Sequence, residues 1–566
     1  VTVGQSLVRG PAEPPLLSLT IGQALDEAAR RWGMREALIC PAQSARFTWS
    51  ELQRRSAAFA AGLVAHGLRP GDRIGVWSLN RWEWTVTQFA AAKAGLILVT
   101  VNPAYRLWEL EYALATSGCA ALVISPPFKT SDYAAMTLAL APELATCRPG
   151  TLAAARAPAL RLVVQMGERT IGGALAFEEV EAAGCGAAQR SLGDIEAHLS
   201  CHDAVNIQFT SGTTGAPKGV TLSHHNILNN GYMVGRALDL DAEDRICIPV
   251  PLYHCFGMVM GNLASVTSGA AMVYPGEGFD PEATLRVTAA ERCTALYGVP
   301  TMFIAQLDHP TFDAVDLASL RTGIMAGSPC PEEIMRRVID RMHMREVTIC
   351  YGMTETSPVS LQSATSDPLD RRVSTVGRVH PHVEVKIVDL HGDVVELGVA
   401  GELCTRGYSV MLGYWNDEAQ TAQTIDAEGW LRTGDLATLD EDGYGRIVGR
   451  IKDMVIRGGE NLYPREIEEY LHRHPAIRDV QVFGVPDARF GEALCAWIIA
   501  HPGASLDPAE IRAFCEGRIA HQKIPQHIRV VDAFPMTVTG KAQKYLMRDA
   551  MIAALSNAEE PDRRWR

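Results

Sequence analysis

Residues 204–223 set a run of glycine, hydroxyls and one lysine between two segments that alternate like strands. The run is Thr210-Ser211-Gly212-Thr213-Thr214-Gly215-Ala216-Pro217-Lys218-Gly219. Ala204-Val205-Asn206-Ile207-Gln208-Phe209 leads in, Val220-Thr221-Leu222 leads out, and Ser223 is placed as the N-cap of a following helix. The fold must therefore accommodate strand, loop, strand and helix in that order. Gly212 and Gly215 permit backbone turns that let amide N–H groups converge on an anion. Ser211, Thr213 and Thr214 add hydroxyl donors, and Lys218 adds a mobile positive charge. The loop is predicted to hold phosphate, with a plain Gly/Thr surface turn as the alternative. It is not a Walker loop, because Pro217 precedes the lysine and a strand, not a helix, follows it.

At 566 residues the chain is too long for one hydrophobic core, so at least two domains are expected. A formal net charge of −13 argues against bulk electrostatic binding of nucleic acid or an anionic membrane. No apolar run approaches the roughly 20 residues of a membrane span. The first twenty residues lack a basic-then-apolar signal pattern. The expected compartment is the cytoplasm; an organelle matrix stays open because the chain starts at Val1 without Met. The 13 cysteines are scattered, with no Cys-x-x-Cys pair. Such usage suits a reducing compartment and buried thiols, not a disulfide framework or a zinc site. Cys255, beside His254, is read as a packing cysteine, not a thiol nucleophile.

Residues 20–120 alternate helical and strand patterns. Ile21 to Trp32 is amphipathic, Trp49 opens a helix running to about His66, and Arg73 to Trp77 and Leu96 to Val101 read as strands. This βα rhythm predicts a largely parallel sheet. Residues 130–200 read as variable helical and loop material. Near 440 the texture changes: Leu439 to Tyr444 is a turn between strands, signalled by Asp442-Gly443. Pro464 is well placed to open a helix from Arg465 to His472. A small α+β domain is expected beyond a boundary at Arg450 to Asp453.

Further motifs follow the loop. Cys350-Tyr351-Gly352-Met353-Thr354-Glu355 comes after the apolar strand Val347-Thr348-Ile349 and presents a hydroxyl and a carboxylate where open α/β sheets bind ligands. Ala326-Gly327-Ser328-Pro329 is a tight small-residue loop. Leu431-Arg432-Thr433-Gly434-Asp435 places a carboxylate after a glycine turn, able to accept both hydroxyls of a ribose. Pro249 to Gly257 carries His254 among aromatic and apolar residues. Gly449-Arg450-Ile451-Lys452-Asp453 leads to Gly458-Gly459, and Pro535-Met536-Thr537-Val538-Thr539-Gly540-Lys541 ends in a loop lysine.

In this order, over about residues 20–550, these segments resemble the adenylate-forming superfamily of acyl-CoA synthetases, adenylation domains and luciferases. The resemblance is closest to fatty acyl-CoA synthetases of the medium-chain-like kind. It implies an α/β fold: a large N-terminal domain of βα-layered sheets (1–449), a hinge (450–453) and a small mobile α+β C-terminal domain (454–566). The family assigns ATP phosphates to Thr210 through Lys218, the adenine surroundings to Gly327 and Ser328, and adenine stacking to Tyr351. Thr354 donates to the α-phosphate, Glu355 holds Mg²⁺, and Asp435 and Arg450 hold the ribose. His254 falls at the gate between acyl pocket and thiol tunnel, Lys452 at the hinge, and Gly458 and Gly459 at the coenzyme A tunnel. Lys541 bridges carboxylate and α-phosphate. The implied catalytic set is Lys541, Glu355, Thr354, His254 and Lys218. The implied cofactors and substrates are ATP, Mg²⁺, coenzyme A and a carboxylic acid, with a homodimer open. Met258, Met260 and the segment Tyr297 to Thr301 either line an apolar acyl pocket or belong to the core. With no Arg or Lys obvious there, an apolar monocarboxylate is expected. Open alternatives are an aryl or short branched acid, a carrier-protein-loading enzyme, an oxidising luciferase-like enzyme and a non-catalytic nucleotide-binding protein.

Overall fold

The computed structural model describes residues 4–210, 217–328, 330–457, 460–487, 489–537 and 541–558. Four sheets organise them. One has eight strands and is parallel from Leu175–Ala176 through Leu162–Gln165, Cys119–Ile124, Arg73–Trp77 and Ile97–Val101 to Ala204–Thr210. Lys218–Ser223 and Gly413–Tyr414 extend it antiparallel. The βα rhythm of residues 20–120 thus becomes a parallel sheet, as expected. The strands Leu162–Gln165 and Leu175–Ala176 were not anticipated, because four and two residues are too few to show alternation.

A nine-stranded sheet has Thr322–Met325 and Glu346–Gly352 near one edge and Glu36–Cys40 and Ala45–Thr48 at the other. A five-stranded antiparallel sheet joins Leu7–Arg9 and Val383–Val388 to Gly401–Gly407, Leu431–Leu439 and Gly445–Arg450. The fourth sheet is built from Val455–Arg457 onward around the long hairpin Ile477–Asp487 and Gly491–Ala500, with its own apolar core.

Local signals explain many of the elements. Ile21–Trp32 and Trp49–Ala65 each open on a capping box, Thr20 with Gln23 and Thr48 with Glu51, which satisfies N–H groups otherwise left bare. Pro464 is the first residue of the helix Pro464–Leu471, as expected. The helix Trp82–Lys93 is buried from Glu83 to Lys93, so its polar groups need internal partners. Arg81 pairs with Glu83, and the Lys93 ammonium lies 2.8 Å from Asp26 and 2.7 Å from Glu196. Gln88 donates to the Met258 carbonyl at 3.2 Å and accepts from Asn262 at 2.8 Å. These two bonds brace Phe256–Leu263, which forms a π-helix. Wide π turns occur mostly near functional sites.

Two buried histidines, His224 and His380, and the half-buried His254 give the fold a defined acid response. Burial lowers His224 and His380 to about 4 and His254 to about 3. His224 Nδ1 accepts from the Ile21 N–H at 3.1 Å, and His380 Nε2 lies 2.9 Å from Gln362 Oε1. All three stay below the ordinary value near 6.5, so the unfolded chain binds more protons in acid. Their contribution is fully present above pH 6.5 and is lost as the pH falls toward about 4, on the order of 3 kcal/mol for His380. We expect Tm to fall steeply between pH 6.5 and 4.5, and His380→Gln to flatten that slope. An unchanged slope in the variant contradicts this assignment.

Candidate active site

The strands Ala204–Thr210 and Lys218–Ser223 pair antiparallel, Thr210 opposite Lys218. Ser223 caps the helix His224–Ala237, accepting from the Asn226 N–H. Ser211, Gly212, Thr213, Thr214, Gly215 and Ala216 lie outside the described residues. The stem of the loop is held from both sides. Tyr112 donates its hydroxyl to the Pro217 carbonyl at 3.1 Å, and the Lys218 ammonium sits 5.0 Å over the Tyr414 ring.

Tyr414 was not legible as a site residue. The two-residue strand Gly413–Tyr414 pairs with Val220 and Thr221, which carries its hydroxyl to Glu355 Oε1, 3.0 Å away. Glu355 is buried, and burial raises its carboxyl above the usual range, opposed by Tyr414, Lys218 and Arg450. A buried carboxylate with one phenol donor gains from a cation. Mg²⁺ takes few protein ligands and completes its shell with water and phosphate oxygens, so a single buried carboxylate fits it.

The strand Glu346–Gly352 runs past Ile349, where it was expected to end, and changes partner on the way. It pairs parallel with Thr322–Met325 up to Ile349 and antiparallel with Val359–Gln362 from Cys350. Tyr351 emerges at this change. Its hydroxyl donates to Asp435 Oδ2 at 2.6 Å, while Arg450 Nε sits 3.0 Å from Oδ1. Asp435 and Arg450 are cross-strand partners on Leu431–Leu439 and Gly445–Arg450, and the Asp435 N–H donates to Thr433 Oγ1 at 3.1 Å. Both oxygens of the carboxylate expected to hold ribose are thus already engaged. Thr354, on the short turn Thr354–Thr356, is buried.

Lys541 approaches from the far end of the chain. Reciprocal bonds fix its loop: Thr537 N–H to the Lys541 carbonyl at 2.7 Å and Lys541 N–H to Thr537 Oγ1 at 2.9 Å. Its Cε lies 4.0 Å from where a Cβ on Gly327 would stand, and Gly327 has a φ of +89° that favours glycine. Burial and then Arg450 depress the ammonium below the ordinary lysine range, opposed by Asp435 and Glu355 among others. The same ammonium, after burial, lowers His254. His254 Nδ1 accepts from the Phe256 N–H at 3.2 Å, so the neutral ring carries its proton on Nε2. Cys255 Sγ lies 3.5 Å from that Nδ1, and burial pushes its thiol up to about 12, as suits a packing cysteine.

A cleft of about 1560 Å³ receives Gly327, Ser328, Tyr351, Asp435, Arg450 and Lys541. Lys452 also lines it, exposed on the turn Ile451–Asp453. Gly458 and Gly459 lie outside the described residues. Met258, Met260 and Tyr297 are buried in the largest core cluster, Phe256 stacks on Tyr297 at 5.9 Å, and Gln208 Nε2 lies 3.3 Å from Met258 Sδ. The choice between acyl pocket and core stays open for them.

Residues 25–415 match the family model of the AMP-binding enzyme, and residues 466–541 match that of the AMP-binding enzyme C-terminal domain. The chain belongs to the AMP-binding enzyme family. Within it, the Bacillus subtilis (strain 168) protein YngI, which carries the name of an acyl-CoA synthetase, is 48% identical over 538 residues, 95% of this chain and 98% of its own. The mitochondrial medium-chain acyl-CoA ligase ACSF2 of Danio rerio is 46% identical over 551 residues, 97% of this chain and 91% of its own. The anthranilate CoA ligase AuaEII, solved with anthranoyl-AMP, superposes with a TM-score of 0.84 at 26% identity over 96% of this chain and 99% of its own. The resemblance to acyl-CoA synthetases and the α/β fold with a large N-terminal and a smaller C-terminal domain therefore stand. No helix among the described residues of this AMP-binding enzyme is long and apolar enough to cross a membrane.

Proposed function

We propose that this AMP-binding enzyme is an ATP-dependent acyl-CoA ligase for an apolar monocarboxylic acid of medium chain length. What most supports the reading is the convergence of Lys541 on the cleft that holds Tyr351, Asp435 and Arg450. The division is a large domain to residue 449, a hinge at 450–453 about Lys452, and a lid from 454 to 566.

In the first step a carboxylate oxygen attacks the α-phosphorus of ATP. The bond to the β-phosphate oxygen breaks and pyrophosphate leaves. Thr210 through Lys218 hold the departing phosphates, and Thr354 donates to the α-phosphate. Lys541 offsets the charge gathered between carboxylate and α-phosphate, which is stabilisation aimed at the transition state. Asp435 and Arg450 orient the ribose, Tyr351 packs its ring on the adenine, and Gly327 and Ser328 leave room beside it. Glu355 would hold Mg²⁺, which supplies neutralisation of phosphate charge when bound. His254, neutral with its proton on Nε2, offers a hydrogen-bond donor at the gate to the acyl group.

In the second step the lid rotates about Lys452, withdraws Lys541 and brings Gly458 and Gly459 to the coenzyme A tunnel, a gating motion. The thiol sulfur attacks the acyl carbon, the bond to AMP breaks, and thioester and AMP result. The carrier-protein, luciferase-like and non-catalytic alternatives are not favoured, because the curated relatives described above carry acyl-CoA synthetase and ligase names.

The acid is tested by thioester formation across straight-chain acids from short to long, with aryl, branched and dicarboxylic acids alongside. We expect kcat/KM to peak at medium length and to fall at least about tenfold for dicarboxylates, since a second carboxylate would be desolvated without a partner. A peak on an aryl acid overturns the choice of acid and leaves the ligase reading intact. A homodimer and either compartment are compatible with this reading; sedimentation and fractionation address them.

A further inference from the structure

Cys201 and His202 stand just ahead of the strand Ala204–Thr210, and His225 just after Lys218–Ser223. These strands run antiparallel from Thr210 opposite Lys218 down to Ala204 opposite Ser223. Thr210 and Lys218 therefore mark one end of the strand pair, and these three residues meet at the other, about 20 Å away along a seven-residue strand. The Cys201 carbonyl accepts from the His225 N–H at 2.7 Å, which pins the two ends together.

One ligand atom from each of Cys201, His202 and His225 lies within 4.8 Å of the other two. The two imidazole centroids are 4.8 Å apart with the rings inclined at 47°. Zinc bonds of about 2.3 Å to sulfur and about 2.0 Å to nitrogen put tetrahedral ligands roughly 3.3–3.6 Å apart. Closing that gap needs about 1 Å of side-chain movement, and His202 is exposed and has room to supply it. The His225 ring is held near a fixed neighbour, with Nδ1 3.2 Å from the Asn229 amide nitrogen.

We propose that Cys201, His202 and His225 form a site for a zinc-class divalent cation that clasps this end of the strand pair, with a fourth position left to water. One sulfur and two imidazoles select borderline metals over Mg²⁺ or Ca²⁺. Cysteine spacing alone argued against a zinc site; this cluster uses one cysteine, and the strand pair brings it to the histidines. None of the three lies in the catalytic cleft.

The test is Zn²⁺ titration of the metal-free full chain against a chromophoric chelator, with Co²⁺ absorption as a second readout. We expect one tight site, weakened about tenfold or more by Cys201→Ser and by His202→Ala, and unaffected by Cys185→Ser, the exposed thiol. Bound Co²⁺ should show tetrahedral bands and a thiolate charge-transfer band that Cys201→Ser removes. His202 is exposed, so its replacement keeps the fold, and ligase turnover of the metal-free variant should match the parent. Equal zinc affinity in parent, Cys201→Ser and His202→Ala overturns the proposal, as does a Co²⁺ spectrum that the Cys201 change leaves intact.

Discussion

Replacing Lys541 with alanine is expected to lower acid-dependent pyrophosphate release on the order of 10³-fold, while thioester formation from supplied acyl-AMP stays within about tenfold of the parent. The asymmetry follows from where the ammonium sits. In this structure it is half-buried, close to Gly327 and within electrostatic reach of Arg450, Asp435 and Glu355. There it can meet charge that gathers between a carboxylate and the α-phosphate. In the thioester step the proposed lid rotation removes it, so nothing is lost with it. Burial and Arg450 disfavour the ammonium in the free enzyme, which makes an anionic ligand its natural counter-charge. Lys541→Arg should recover only a small part of the loss, because a planar guanidinium does not reproduce a compact ammonium in this space. Equal loss in both half-reactions would contradict the two-posture account.

Asp435→Ala should raise KM for ATP on the order of 10²-fold and destabilise the protein by about 2–3 kcal/mol, since it removes hydrogen bonds to a charged group. The carboxylate is 7% exposed and anchors two side chains, Tyr351 through Oδ2 and Arg450 through Oδ1. Alanine leaves the phenol and the guanidinium without this partner at the place where the ribose is expected. Tyr351→Phe is the contrasting case. It retains the ring and the Asp435–Arg450 pair, so KM for ATP should change less than about fivefold. Initial-rate kinetics in ATP, paired with thermal unfolding of each variant, separates the two. If Tyr351→Phe cost as much as Asp435→Ala, the phenol–carboxylate bond and not the carboxylate itself would be the binding element.

The parts of this fold that were legible in the sequence are those whose signal is local. Alternation over residues 204–209 announces a strand, and the amphipathic run Ile21 to Trp32 announces a helix. The order of the Gly-rich loop, Tyr351 to Glu355, Asp435, Arg450 and Lys541 was legible because each motif is a short contiguous run. What was not legible depends on partners far away in the chain. Tyr414 reaches Glu355 across 59 residues, through a strand too short to show a pattern. The π-helix Phe256–Leu263 takes its bracing from Gln88, which no local propensity reveals. The strand Glu346–Gly352 looked finished at Ile349 because its parallel partner ends there; the antiparallel partner that carries it to Gly352 comes later in the chain. Cys201, His202 and His225 escaped any spacing rule for the same reason.

The most direct measurement is the stoichiometry of pyrophosphate, AMP and acyl-CoA formed from MgATP and a medium-chain acid, with and without coenzyme A. The account predicts equal amounts of all three when coenzyme A is present, and without it a single burst of pyrophosphate with the acyl-AMP retained. Sustained pyrophosphate release with no thioester in the presence of coenzyme A, or no turnover with any acid of the panel, would contradict it.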